Sequence, residues 1–109
     1  MPNYSRHDVL LVRYPFSDLS AAKVRPAVVV HAPHPSQDSL IVPLTSRSSS
    51  LLPGEFALKD WEEAGLNVPT AVKRGIYTIH PSLIVKILGR LSAQDAQDLQ
   101  RSLRGWLGL

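Results

Sequence analysis

Cysteine is absent from this chain of 109 residues. Neither a disulfide scaffold nor a thiolate metal site is open to it, and the redox compartment is left undetermined. Long apolar runs are also missing: none approaches the roughly 18 residues that span a bilayer. The opening Met1-Pro2-Asn3-Tyr4-Ser5-Arg6-His7-Asp8 has no apolar core of the signal-peptide kind. A soluble, cytoplasmic protein with no membrane association is the expectation. Glycines number only six and stand apart, so phosphate loops and dinucleotide fingerprints are excluded. The histidines at 7, 31, 34 and 80 lack helical i,i+4 spacing and the carboxylates are scattered. No metal and no cofactor are expected.

What remains is an ordinary globular composition, with 44% hydrophobic and 19% charged residues. The length is that of a single domain spanning 1–109. Twelve Lys and Arg against nine Asp and Glu give a net charge of +3, a mild bias toward an anionic partner such as nucleic acid.

The chain reads as short strands closed by one helix. Asp8 to Tyr14 is the first strand, apolar on both faces. Pro15 to Lys23 is a loop of turn formers and small residues, longer than a hairpin connection and therefore a candidate functional loop. Pro26 to Ala32 is the second strand, with Pro26 at its first position because proline cannot donate to a ladder. Pro33 to Asp38 is a compact turn. Ser39 to Thr45 is the third strand, hairpin partner of the second, and Pro43 marks it as an edge or bulged strand. Gly54 to Leu58 is a short strand, and Lys59 to Gly65 one or two helical turns stopped by glycine, seated on the core by Trp61 and Leu66. Thr70 to Ile79 is a strand interrupted at Gly75, and Leu83 to Leu91 is the last strand. Ser92 caps a terminal helix, with Asp95 placed to complete a capping box. Ala96, Leu99, Leu103 and Trp106 or Leu107 form its apolar face. The fold class is mainly β with a C-terminal α-helix, as a small, strongly curved sheet or barrel.

The hairpin brings chemistry together. The start of the second strand, Arg25, and the end of the third, Thr45 and Ser46, lie side by side, with Lys23 and Arg47 close by. One permanent guanidinium beside hydroxyls suits an RNA phosphodiester: arginine stabilises charge gathering on phosphorus when the 2′-hydroxyl attacks, and a hydroxyl donates to it. Arginine is a poor base, so the proton goes to another group or to water. Any of the four histidines is a formal candidate, His31 sharing the strand-two face with Arg25, Ala27 and Val29. The alternative for Arg25 is a solvated strand-end residue.

Asp8-Val9-Leu10-Leu11-Val12, Pro15-Phe16-Ser17-Asp18-Leu19-Ser20, Lys23-Val24-Arg25-Pro26-Ala27-Val28-Val29-Val30, Val42-Pro43-Leu44-Thr45-Ser46 and Ile87-Leu88-Gly89-Arg90-Leu91-Ser92, in that order, resemble the MazF/PemK family of toxin endoribonucleases. The resemblance implies an SH3-like β-barrel of the MazF/PemK/CcdB kind, a homodimer, metal-independent cleavage of single-stranded mRNA at short sequences, and inhibition by a cognate antitoxin. It makes Arg25 and Thr45 catalytic, with Ser46 a possible assistant. It places Phe16, Ser17, Asp18 and Lys23 on a loop bordering the RNA channel. Where better-known members carry glutamine after Thr-Ser, this chain has Arg47. Where they carry a Gln-x-Arg-Thr run, it has Gly75-Ile76-Tyr77-Thr78. Arg47 and Tyr77 are candidates for a phosphate contact and a stacking surface on RNA, against the alternatives of a solvated arginine and a half-buried strand tyrosine.

Two other functions compete. One is a non-catalytic binding module of the same fold: a CcdB-like gyrase poison using Trp106 near the C-terminus. The other is a degenerate relative that binds RNA or antitoxin without cutting.

Overall fold

The computed structural model describes residues 4–14, 23–31, 38–47 and 49–109. Among the described residues there are seven strands and one helix: β1 (Asp8–Tyr14), β2 (Lys23–Val29), β3 (Ser39–Thr45), β4 (Phe56–Ala57), β5 (Ala71–Val72), β6 (Tyr77–Ile79), β7 (Ile84–Arg90) and α1 (Ala93–Leu107), with a 3-10 turn at Pro81–Leu83. The strands pair antiparallel in the order β4-β5-β3-β2-β1-β7, and β6 joins β3. The class is therefore the expected one, mainly β with a C-terminal helix. The path does not close into a barrel, because β4 and β7 are its ends.

Buried residues fall into two clusters, one on each side of the sheet. Val9, Val28 and Val42 join Leu44, Leu58, Val72 and Leu99 of α1, with Ala96, Leu103 and Trp106 packed against them. Leu10, Val12, Ala27, Val29 and Ile41 form the other with Tyr4 and Ile79. Alternation along β1 thus feeds both clusters, which is why that strand reads as apolar on both faces. The helix covers the first cluster as expected. Leu107 points away, 55% exposed.

Several expected boundaries move. β2 begins at Lys23, not Pro26, because Lys23, Val24 and Arg25 pair with Tyr14, Arg13 and Val12 of β1. Arg25 thus stands inside the strand. β3 is not an edge strand. It pairs with β2 on one side, and on the other with β6 through Ser39 to Ile41 and with β5 through Leu44 and Thr45. Pro43 falls in the gap between β6 and β5, where its carbonyl accepts from Lys73 N at 3.0 Å and no donor is required of it. The expected strand from Thr70 to Ile79 is accordingly two, β5 and β6, serving different lengths of β3. The last strand starts at Ile84, after the 3-10 turn. The 33–37 part of the expected turn lies outside the described residues.

The segment from Lys59 to Gly65 is a compact turn, not a helix, held by Ala64 N to Asp60 O (3.2 Å) and Leu66 N to Trp61 O (3.1 Å). Gly65 does end it, with φ +85°. Ser92 caps α1 by accepting from Asp95 N at 3.2 Å. Asp95 does not complete a capping box. Its carboxylate is fully buried and accepts from Lys59 N (3.0 Å) and Asp60 N (2.9 Å), so it ties the turn to the helix.

Candidate functional site

A cleft of about 890 Å³ opens where β3 leaves β2. The β2–β3 ladder runs from Val29/Ile41 to Ala27/Pro43 and stops there. Pro26 and Pro43 lie at that point and line the cleft. Pro26, whose backbone faces β3 as Val30 does, has no N–H to carry the ladder further. Beyond them Thr45 turns to pair with Ala71 of β5, while Arg25 stays with β1. Extending the Ala27/Pro43 register by two residues sets Arg25 level with Thr45 across the opening.

Arg25, Thr45, Ser46, Arg47 and Tyr77 all line this cleft. Five of the residues picked from the sequence are thus brought to one surface. Arg25, Ser46 and Arg47 are exposed and Thr45 is half-buried. Thr45 Oγ1 accepts from Arg47 N at 3.1 Å, which leaves its own hydroxyl hydrogen available to a ligand. Phe16, Ser17 and Asp18 lie outside the described residues. Lys23 is described only as the first backbone position of β2.

Two cations were not picked from the sequence: Lys73 and Lys86 also line the cleft. Lys86 had a signal, being the single charge within Ile84-Val85-Lys86-Ile87-Leu88. It pairs with Leu11, which on its other side pairs with Pro26, so one row across β7, β1 and β2 floors the cleft. Lys73 had none, since its place depends on the bond to Pro43. The next residue is also held: Glu55 accepts from Arg74 N (2.8 Å) and Leu52 N (2.7 Å). Those two bonds hold the Glu55 carboxyl below its ordinary pKa.

Among the described lining residues there are four cations, Arg25, Arg47, Lys73 and Lys86, and no carboxylate or imidazole. Such a surface attracts phosphates and cannot itself gather a divalent metal. No cluster of metal-ligating side chains exists among the described residues. The histidine candidates are not brought to it. His31 lies past the end of β2, with Nε2 buried and unbonded among the described residues. His80 caps the 3-10 turn through Ser82 N, His7 N donates to Val29 O at 2.8 Å, and His34 is outside the described residues. Trp106 packs on the first core cluster and its indole N–H donates to Pro53 O at 3.1 Å.

A family model for the PemK-like, MazF-like toxin of type II toxin-antitoxin systems matches residues 5–107. Curated protein sequences give no match. Among solved structures, a MazE-MazF complex from Deinococcus radiodurans is 16% identical with a TM-score of 0.80, covering 100% of this chain and 99% of that one. An endoribonuclease in complex with its cognate antitoxin from a mycobacterial species is 16% identical, with a TM-score of 0.76 over 97% and 96%. Mycobacterium tuberculosis toxin MazF-mt6 is 18% identical, with a TM-score of 0.72 over 94% and 97%. At these identities the likeness is one of fold.

Proposed function

The chain belongs to the PemK-like, MazF-like toxin family of type II toxin-antitoxin systems, and from that membership and its cation-lined cleft we propose that it is an endoribonuclease cleaving single-stranded mRNA at short sequences without a metal. The observation that carries this reading is the convergence of Arg25 and Thr45 in a cleft whose described lining holds four cations and no carboxylate. RNA enters along Arg47, Lys73 and Lys86, which neutralise its phosphates. The ribose 2′-oxygen attacks phosphorus, the bond to the 5′-oxygen breaks, and a cyclic phosphate and a 5′-hydroxyl result. Arg25 and the Thr45 hydroxyl donate to the phosphate oxygens as charge grows on them, the moment at which fixed donors lower the barrier most. Ser46 is a second hydroxyl within the same opening. The described lining offers no ordinary base; the 2′-oxygen gives up one proton and the leaving 5′-oxygen takes up one, and in this reading both exchange with water. In this reading Phe16, Ser17, Asp18 and Lys23 are further RNA contacts, and Tyr77 offers its ring to a base.

The partners of this reading are single-stranded RNA, a cognate antitoxin and a second copy of the chain as a homodimer in the cytoplasm. No described helix is long and apolar enough to cross a membrane. An acidic antitoxin segment and RNA would compete for the same cations. A gyrase poison acting through Trp106 is disfavoured by that indole's engagement with the core and Pro53.

Primer extension on a long defined RNA, incubated with the protein in EDTA beside Arg25→Ala, tests the assignment. Discrete cuts at a recurring short sequence are expected, slowed by at least about 100-fold in the variant, the usual effect of losing one transition-state donor. Undiminished cutting by folded Arg25→Ala would refute the role of Arg25. An absence of cuts by the unmodified protein would refute the ribonuclease reading.

A further inference from the structure

Sorting the cleft by hydrogen-bonding capacity singles out one residue. Arg25, Arg47, Lys73 and Lys86 can only donate, and each suits a phosphate. Thr45 Oγ1 is engaged by Arg47 N, and the Thr70 hydroxyl donates to Val68 O at 2.8 Å. Asn67 is the one described lining residue with a planar group carrying donors and an acceptor side by side. It is exposed, and no described residue bonds its carboxamide. On either side, half-buried Leu66 and exposed Val68 give the same wall an apolar surface. A carboxamide flanked by apolar surface matches an unstacked base, which offers a flat face and an edge of adjacent donors and acceptors.

Reading an edge requires that the reader be held still. Residues 59–68 contain no strand or helix, yet they are tied from three directions. At one end Lys59 N and Asp60 N bond the buried Asp95 carboxylate of α1. In the middle Gly65 lies against β7 so closely that a Cβ there would stand 2.1 Å from Leu88 O. At the far end Leu58 N donates to Thr70 O at 2.9 Å, joining the two ends of the segment. Asn67 is thus displayed on a braced wall.

We propose that Asn67 is a specificity-determining residue of the cleft, whose carboxamide pairs with the edge of one base beside the scissile phosphate and sets the preference at that position. The proposal rests on the ribonuclease reading above. Losing a paired carboxamide reduces discrimination between the preferred and other bases at one position, by on the order of 10- to 100-fold. The loss falls on the best site, whose cutting slows toward that of the others, while sites with a different base at that position, which never made the pair, keep their rates.

The experiment compares cut profiles of the unmodified protein, Asn67→Ala and Asn67→Asp on one long defined RNA. Asn67→Asp keeps the shape and removes the donors. Since Asn67 is exposed, both variants keep the fold, and circular dichroism checks it. The expected result is a recognition sequence relaxed at a single position by Asn67→Ala and altered at that same position by Asn67→Asp. An identical cut set with unchanged relative rates would overturn the proposal while leaving the ribonuclease reading intact. So would a uniform slowing at every site, which would make Asn67 a general contact. No cutting by the unmodified protein would overturn both.

Discussion

Replacing Asp95 by alanine should destabilise the domain far more than a helix-terminal aspartate ordinarily would. The carboxylate is fully buried and accepts two backbone N–H bonds, from Lys59 and Asp60. Hydrogen bonds to a charged group contribute about 1.5–3 kcal/mol each. Lys59 and Asp60 are themselves exposed, so their amides recover some hydration, and the low end of that range applies, about 3 kcal/mol for the pair. Loss of the negative charge near the start of α1 adds about 0.5 kcal/mol. The Ser92 cap survives, because it uses the Asp95 amide and not its side chain. A loss of about 3.5 kcal/mol is a large share of the 5–15 kcal/mol typical of a domain, and it lowers Tm by roughly 15–25 °C. Urea unfolding followed by tryptophan fluorescence measures it, since Trp61 sits on the tethered turn and Trp106 on the same core cluster. Asp98→Ala is the control: among the described residues Asp98 pairs only within the helix, with Arg101 at 3.2 Å and Gln94, and about 0.5 kcal/mol is expected. Hydrogen exchange adds a local readout, with the amides of Lys59 and Asp60 protected in the unmodified protein and rapid in Asp95→Ala. A destabilisation below about 1 kcal/mol, or no change in those two amides, would refute the view that this carboxylate braces the turn.

Lys73 and Lys86 should carry part of the salt dependence of RNA binding. With four cations engaged, the slope of log K against log salt is about −3 for a single strand, and each Lys→Ala substitution should reduce it by about 0.7. Anisotropy of a labelled, uncleavable 2′-O-methyl oligonucleotide measures this, and an unchanged slope in both variants would place the strand elsewhere. Gly65→Ala should cost about 2–4 kcal/mol, since its φ is +85° and the new methyl group would collide with Leu88 O; stability equal to the unmodified protein would contradict the close approach of turn and strand. Glu55 titrates below its ordinary value because Arg74 N and Leu52 N bond its ionised form. The folded state therefore holds its proton less tightly than the unfolded state does. The stability it contributes is complete above about pH 4.5 and lost as pH falls through the lowered value. The stability gap between the unmodified protein and Glu55→Gln should accordingly shrink from pH 6 to pH 3, and a gap that grows on acidification would reverse the assignment.

Local pattern revealed the elements whose identity is local. β1 and β3 stand where their apolar runs put them, and the Ser92 cap and the Ala96, Leu99, Leu103 face of α1 follow from spacing alone. β2 starts three residues before Pro26 because proline's missing donor bars a strand only on the side that the donor faces, and here that side is β3. Here β1 pairs along the whole of β2 while the β3 ladder ends at Ala27. The split of 70–79 into β5 and β6 was hidden, since it is set by which stretch of β3 each one meets. Asp95 shows the same limit most sharply. Ser-x-x-Asp is a capping pattern, but the carboxylate is claimed by two amides some 35 residues away in sequence, and no neighbour of Asp95 records that. At the site, hairpin register sufficed to unite Arg25 with Thr45 and Ser46. Lys73 and Asn67 needed the tertiary path of the 59–73 stretch.

Pro26 explains why a site exists at this place in the sheet. An unbroken β2–β3 ladder would carry hydrogen bonds past Ala27 and Pro43 and leave Arg25 and Thr45 as neighbours on a flat, paired surface. A guanidinium there would face solvent, with no room beside it for a phosphate. Pro26, which faces β3 as Val30 does, withholds the donor that the next rung would need. β3 is then free to follow β5, and the cleft opens between it and β2. The cost of an interrupted ladder is small, because β1 and β5 take up the pairing of Arg25 and Thr45 on their outer sides and Lys73 N satisfies the Pro43 carbonyl. That last bond also anchors the residue whose side chain adds a cation to the opening. The interruption of the sheet and the assembly of its charged cleft therefore have one physical origin.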